Sequence, residues 1–257
     1  MSKITVVKIG GNVIDSPEAL EEFVKNFAAL PSPKILVHGG GKIATRLAKQ
    51  MNVETTMIDG RRVTDKPMLD IVVMTYAGLL NKEIVAKLQA AGCNAIGLSG
   101  ADGNAIEATR RPANPIDFGF VGDIDPAKVN ESLIGHLLAG GITPVYCAIT
   151  HDGNGTLLNS NADTIASSVA LAASRVDATD LLFCFEKRGV LRDVEDNDSV
   201  IREITAESYP PLKESGVINK GMIPKIENAL KAVSQGVKRV CIKHSDDLLK
   251  DSGTNIL

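Results

Sequence analysis

ITVVKIGG, residues 4–11, reads as a buried strand that runs straight into a glycine pair. Ile4, Val6, Val7 and Ile9 give it a near-continuous apolar character, as expected of a strand covered on both faces. Gly10 and Gly11 then free the backbone for a tight turn. The pattern recurs in KILVHGGG (34–41), NAIGLSG (94–100), ITPVYCAIT (142–150), DLLFCFE (180–186) and KRVCIKH (238–244). Helical spacing occupies Pro17–Leu30, Ile43–Gln50, Met68–Ala91, Asn130–Ala139, Thr164–Ser174 and Lys225–Gln235. Strands alternating with helices predict an α/β fold, a three-layer αβα sandwich with a mainly parallel central sheet. Its 257 residues suffice for two lobes sharing that sheet, expected at 1–174 and 175–257.

Composition narrows the classes of function. Hydrophobic residues make up 44% of the chain, enough for a substantial core. A net charge of −3 and the absence of Trp offer no footprint for nucleic acid or an anionic membrane. Cys93, Cys147, Cys184 and Cys241 form no CxxC pair, and three lie in apolar runs, as small core residues do. The opening MSKITVVKIGG is too short and too charged for a signal peptide, and no segment reaches the roughly 18 apolar residues of a spanning helix. A reduced, cytoplasmic protein is expected.

Three of the strands end in glycine-rich turns: Lys8-Ile9-Gly10-Gly11, His38-Gly39-Gly40-Gly41-Lys42 and Leu98-Ser99-Gly100-Ala101-Asp102-Gly103. Such turns at the carboxyl ends of parallel strands bring backbone N–H groups close to an anion. Gly39 to Ala44 satisfies the loose dinucleotide pattern G-x-G-x-x-A, which three consecutive glycines match easily. Gly41-Lys42 is followed by Ile43 where a Walker A loop needs Ser or Thr, which excludes that motif. Each loop taken alone reads as a plain βα turn; three together point to anion handling. His38 reads as a satisfied turn histidine.

KIGGNVID, LVHGGGK, RRVTD, GLSGADGN, GFVGDI, NSNADTIAS, GMIPKIENAL and a terminal GTNI follow one another from Lys8 to Ile256. This ordered series resembles the acetylglutamate kinases of the amino acid kinase superfamily. The resemblance implies ATP with Mg2+, an N-acylglutamate whose side-chain carboxylate accepts the γ-phosphoryl group, and a place in arginine biosynthesis. Carried over position by position, it gives catalytic roles to Lys8, Asp163 and Lys225, with Asp163 orienting the two lysines. Gly10 and Gly11, with Gly40 and Gly41, would cradle the reacting oxygens. Arg62 would pair with the substrate α-carboxylate, and Asn159 would hold the acylamino end. The dull rivals are a snorkelling Lys8, a helix-capping Asp163 and an ordinary helical Lys225.

The chemistry agrees with those residue types. A carboxylate acceptor is ionised at neutral pH and needs no general base. The burden is to bring two anions together and to neutralise charge on the transferring group, which calls for lysines and aimed N–H groups. Magnesium, reluctant to take many protein ligands, would ride on the ATP phosphates; no protein metal ligand is expected. The alternatives are a non-catalytic amino-acid sensor of the same fold or a kinase for another amino acid carboxylate. A regulated hexamer of this family carries an extra N-terminal helix, whereas this chain enters its first strand at Ile4, so a homodimer is expected.

Three stretches depart from the family pattern. Phe185-Glu186-Lys187-Arg188-Gly189-Val190 stands where relatives carry an aspartate and a small-residue turn, and is more basic. VETTMID (53–59) replaces the usual approach to the RVT motif. ATRRPANPID (108–117) is a proline-rich loop that puts Arg110 and Arg111 near the expected acyl site. The arginines are either solvated surface or readers of a second negative charge, in which case the acyl group is succinyl rather than acetyl.

Overall fold

A computed structural model describes residues 3–218 and 221–257; Met1 and Ser2 of the opening segment lie outside the described residues. The strands are β1 (Ile4–Ile9), β2 (Lys34–His38), β3 (Met57–Ile58), β4 (Arg61–Arg62), β5 (Ala95–Leu98), β6 (Ile106–Arg110), β7 (Gly122–Val129), β8 (Thr143–Tyr146), β9 (Ile149–His151), β10 (Leu157–Asn159), β11 (Thr179–Phe185), β12 (Glu203–Ile204), β13 (Arg239–His244) and β14 (Thr254–Ile256). An eight-stranded sheet has the order β12-β14-β13-β11-β1-β2-β8-β5. It is parallel except where β13 meets β14. The half that begins at β1 comes from residues before 174, and the half that begins at β11 from residues after it. A smaller sheet, β10-β9-β6-β7, and the β3-β4 hairpin stand beside it.

The helices are α1 (Gly11–Asp15), α2 (Pro17–Ala29), α3 (Gly41–Gln50), α4 (Lys66–Val73), α5 (Asn81–Ala90), α6 (Glu131–Ala139), α7 (Ala162–Ser174), α8 (Tyr209–Glu214) and α9 (Ile223–Ser234). Helix α2 shows why they form. Pro17 opens it, the Ser16 hydroxyl accepts from the Ala19 amide at 3.2 Å, and Leu20, Phe23, Val24 and Phe27 make one buried stripe. The span expected as one helix from Met68 to Ala91 is indeed continuous from Lys66, but Met74–Leu80 is wound as a π-helix between α4 and α5. Among the described residues no helix is long and apolar enough to cross a membrane. All four cysteines are buried and free.

Register explains how the sheet prepares a site. Ile9 pairs with His38 on β2 and with Cys184 on β11. One residue further on, Gly10 and Gly39 therefore leave the sheet beside Phe185, the last residue of β11. Every parallel strand ends on this same crest, where open α/β sheets bind their ligands.

Candidate active site

A 660 Å³ cavity opens above the crest, within the range of small-molecule sites. Gly39, Gly40 and Gly41, Arg61, Arg62, Tyr76, Arg111, Asn159, Asp163, Phe185 and Lys225 all line it. Gly40 packs so closely that a Cβ there would meet Leu80 Cδ1 at 2.3 Å and Tyr76 Cδ1 at 3.0 Å. The π-helical turn that carries Tyr76 and Leu80 thus presses the glycine loop into shape. His38 below it is fully buried, with Nδ1 2.8 Å from the Gly39 carbonyl and Nε2 3.0 Å from Asn81 Nδ2. Burial pushes its pKa down to about 4, so the ring is neutral and structural.

Lys8, at the end of β1, is buried, and its Nζ lies 2.6 Å from Asp163 Oδ1, an ion pair outside good hydrogen-bond angles. Asp163 is free for this because it does not cap its helix. Helix α7 begins at Ala162, and the Asn161 side chain caps it, accepting from the amides of Asp163 at 2.8 Å and Thr164 at 3.1 Å. Lys225 reaches in from α9. Its Nζ sits 3.9 Å from the centre of the Phe185 ring, and Lys8 Nζ approaches the same ring at 5.2 Å. Burial, helped by the positive Lys8, lowers the Lys225 pKa, while Asp163 opposes the shift. Two ammonium groups, one carboxylate and one aromatic face thus form a single cluster. An ideal Cβ on Gly10 would lie 3.8 Å from the Phe185 ring and 3.9 Å from Lys8 Nζ. Gly11 sits at the start of α1, facing Asp15; Lys8, Gly10 and Gly11 lie beside Phe185 and α1 rather than in the lining of the cavity itself.

Arg62 also lines the cavity. It is buried, and its Nη2 donates to the Gly41 carbonyl at 2.9 Å and to Thr45 Oγ1 at 2.8 Å, whereas neighbouring Arg61 is exposed. Asn159 donates through Nδ2 to Thr64 Oγ1 at 2.9 Å, two residues from Arg62.

Three expectations from sequence need correction. The loop from Leu98 to Gly103 does not join the cavity: Asp102 accepts from the Ser99 amide at 2.6 Å and its hydroxyl at 2.8 Å, closing a turn on itself. Arg110 is not at the site either. It ends β6, stacks on Phe120 at 4.7 Å and donates to the Gly119 carbonyl at 2.9 Å, while Arg111 lines the cavity. The basic pair of the departing segment also turns away, Arg188 to Asp198 at 2.7 Å and Lys187 to the Val194 carbonyl at 3.4 Å. Glu186 instead accepts from Asn12 Nδ2. Phe185, Tyr76 and Asn161 were missed; the sequence signal for Phe185 was its position at a strand end, level with Gly10 and Gly39.

A second cavity, of 410 Å³, lies around Asp180 on another region of the sheet. Asp180 is held there by Lys3 at 2.5 Å and by Arg239 at 2.7 Å, so its charge is already matched within the chain.

Comparison with known proteins places this arrangement. The model of the amino acid kinase family matches residues 3–244. The chain belongs to the amino acid kinase family. Within that family it is similar to the acetylglutamate kinase of Cytophaga hutchinsonii, 54% identical over 97% of this chain and 94% of that protein. It is also similar to the acetylglutamate kinase of Bacteroides thetaiotaomicron, 47% identical over 99% of this chain and 98% of that one. Among solved structures, smu.665 from Streptococcus mutans superposes with a TM-score of 0.79 at 31% identity, covering 100% of this chain and 99% of that one. The αβα sandwich expected from the alternation of strands and helices is therefore an amino acid kinase fold.

Proposed function

We propose that the chain is a kinase that transfers the γ-phosphoryl group of ATP to the side-chain carboxylate of an N-acyl-L-glutamate, as in arginine biosynthesis. The observation that carries this reading is the joint placement of Lys8 and Lys225 over Phe185, in a cavity that Phe185 and Lys225 line together with Arg62. Arg62, its fork already steadied by Gly41 and Thr45, takes the α-carboxylate of the glutamate. Asn159 takes the acylamino group. The side-chain carboxylate then points toward the lysines, where it meets the terminal phosphate.

No proton has to be removed from an ionised carboxylate, so electrostatics and position do the work. Lys8 and Lys225 neutralise the approach of two anions, and Asp163 keeps Lys8 from folding back along the strand. Amides of the loops at Gly10, Gly11, Gly40 and Gly41 add fixed donors. The first lobe, 1–174, holds the acylglutamate, and the second, 175–257, brings Lys225 and the nucleotide.

Magnesium fits this site as an ion carried by ATP. Among the described residues no group of three or more His, Cys, Asp or Glu could hold a metal. The carboxylates near the phosphate end are Asp163, paired with Lys8, Glu186, bonded to Asn12, and Asp15, beside Gly11 and paired with Lys42. A hard cation that keeps its waters and binds phosphate oxygens suits so few protein oxygens, and it would supply charge neutralisation there.

A homodimer in the cytoplasm completes the proposal. Its support is the exposed apolar set Met74, Leu79 and Ile96, the last on the strand that ends the large sheet, and the free state of all four cysteines.

The test is an assay of ADP release with ATP, Mg2+ and a panel of N-acylated and free acidic amino acids. Turnover confined to acylglutamates is expected; ADP release that ignores them would refute the reading.

Phe185 gives a second measurement. A ring holding two ammoniums is worth about 1–2 kcal/mol, so Phe185→Leu is expected to lower kcat about 5- to 30-fold, with Phe185→Tyr close to wild type. If leucine served as well as tyrosine, the ring would be mere packing.

A further inference from the structure

We infer that the acyl group of the substrate itself carries a carboxylate, so that the cavity takes a glutamate acylated by a short diacid, of the N-succinyl kind. This rests on the kinase reading above and concerns the far end of the same site.

The strand pairing places the relevant groups. The Arg111 amide donates to the Val121 carbonyl at 2.8 Å, and Val121 is bridged in turn to Asn159. Arg111 therefore lies two strands from Asn159, about 10 Å at the usual spacing, and both line the cavity. An acyl group held at Asn159 extends toward Arg111 if it runs across the strands.

The side chain at that point is a prepared donor. Arg111 Nε donates to both Asp123 oxygens at 3.1 Å, and its Nη2 also bonds Asp123. Its guanidinium lies 5.3 Å from the Phe118 ring. Asp123 thus occupies one edge of the planar fork and fixes its orientation. Nη1, on the other edge, is buried and has no hydrogen-bond partner among the described residues. Arginine stays charged, and a buried donor of a charged group left unpaired is costly. A carboxylate entering the cavity here would, with a small turn of the guanidinium toward it, supply the missing acceptor and share the cation with Asp123.

The surroundings argue the same way. An acetyl methyl is best met by an apolar wall. The lining at this end is instead Arg61, Arg111, Asp123 and Ser160, with Met57 and Val121. Arg61 has no ion-pair partner among the described residues, and Asp59 is the other acid lining this end.

The experiment measures kcat/KM of the purified full chain, with ATP and Mg2+, on N-succinyl-, N-acetyl- and N-butyryl-L-glutamate. Butyryl matches succinyl in length without its charge. The succinyl compound is expected to be preferred at least about 30-fold, mainly through KM, as for a hydrogen bond to a charged group, with butyryl no better than acetyl. Arg111→Met is expected to lower kcat/KM for the succinyl substrate at least ten times more than for the acetyl one. Turnover of acetylglutamate as efficient as that of succinylglutamate, or an equal loss on both in Arg111→Met, overturns the inference and leaves the kinase reading standing. Turnover of none of the three overturns the kinase reading itself, and this inference with it.

Discussion

Lys8→Ala is expected to lower kcat about 10²- to 10³-fold, the cost of removing one preorganised charge from a transition state, while the protein stays folded. The ammonium of Lys8 is the donor fixed most firmly at the phosphoryl end, held between Asp163 at 2.6 Å and the Phe185 ring at 5.2 Å. Its loss leaves Lys225 alone against two incoming anions. Stability changes little, because the Asp163 side chain is 30% exposed and water replaces the lysine around it. Steady-state kinetics paired with thermal unfolding checks both halves. A kcat within fivefold of wild type would remove Lys8 from the chemistry. An unfolded variant would show instead that the buried ion pair is structural.

The elements best read from sequence are those whose burial leaves a one-dimensional trace. Strands β1, β2, β11 and β13 are covered on both faces and show as apolar runs. Strand β7, reading GDIDPAKV, lies in the small sheet with a half-exposed pattern and a proline, so it carried no such trace. The π-helical turn is also silent, since its residues are ordinary helix formers and only packing against Gly40 gives it meaning.

The site was legible where a residue type and a strand end coincide, as at Lys8. It misled where two loops look alike: the glycines after β2 face the cavity, while those after β5 are closed by Asp102, which chain order alone does not distinguish. Arg110 and Arg111 show a different limit. Successive residues along a strand direction point to opposite sides, and nothing in the pair says which is which until Val121 fixes the register. Phe185 was hidden because its partners, Lys8 and Lys225, are 217 positions apart in chain order; the β1–β11 pairing brings the one to the ring and α9 brings the other.

Gly119→Ala is expected to be the most destabilising single methyl at this site, and Gly60→Ala is its control. Both glycines have φ near +74°, in the region that L side chains avoid, so both substitutions carry the same dihedral strain of about 1 kcal/mol. They differ in what the new methyl meets. At Gly60 there is nothing within 4 Å among the described residues; at Gly119 the Cβ would stand 2.2 Å from the Thr64 carbonyl oxygen and 2.8 Å from its carbon. That oxygen accepts the Phe120 amide at 2.7 Å, and the Thr64 amide donates to Phe118 at 2.9 Å. The methyl therefore forces these paired backbone segments apart and breaks their hydrogen bonds, at about 3 kcal/mol or more in total. For a chain of this size that is a fall in Tm of about 6–12 °C, against about 2–4 °C for Gly60→Ala. The displacement also reaches the substrate. Thr64 Oγ1 accepts from Asn159, and Arg62 lies two residues away, so KM for the acylglutamate rises in Gly119→Ala with kcat less affected. Thermal unfolding of the two variants side by side isolates the clash from the dihedral. Equal losses would mean that the Thr64–Gly119 contact yields freely and does not hold Arg62 and Asn159 in place.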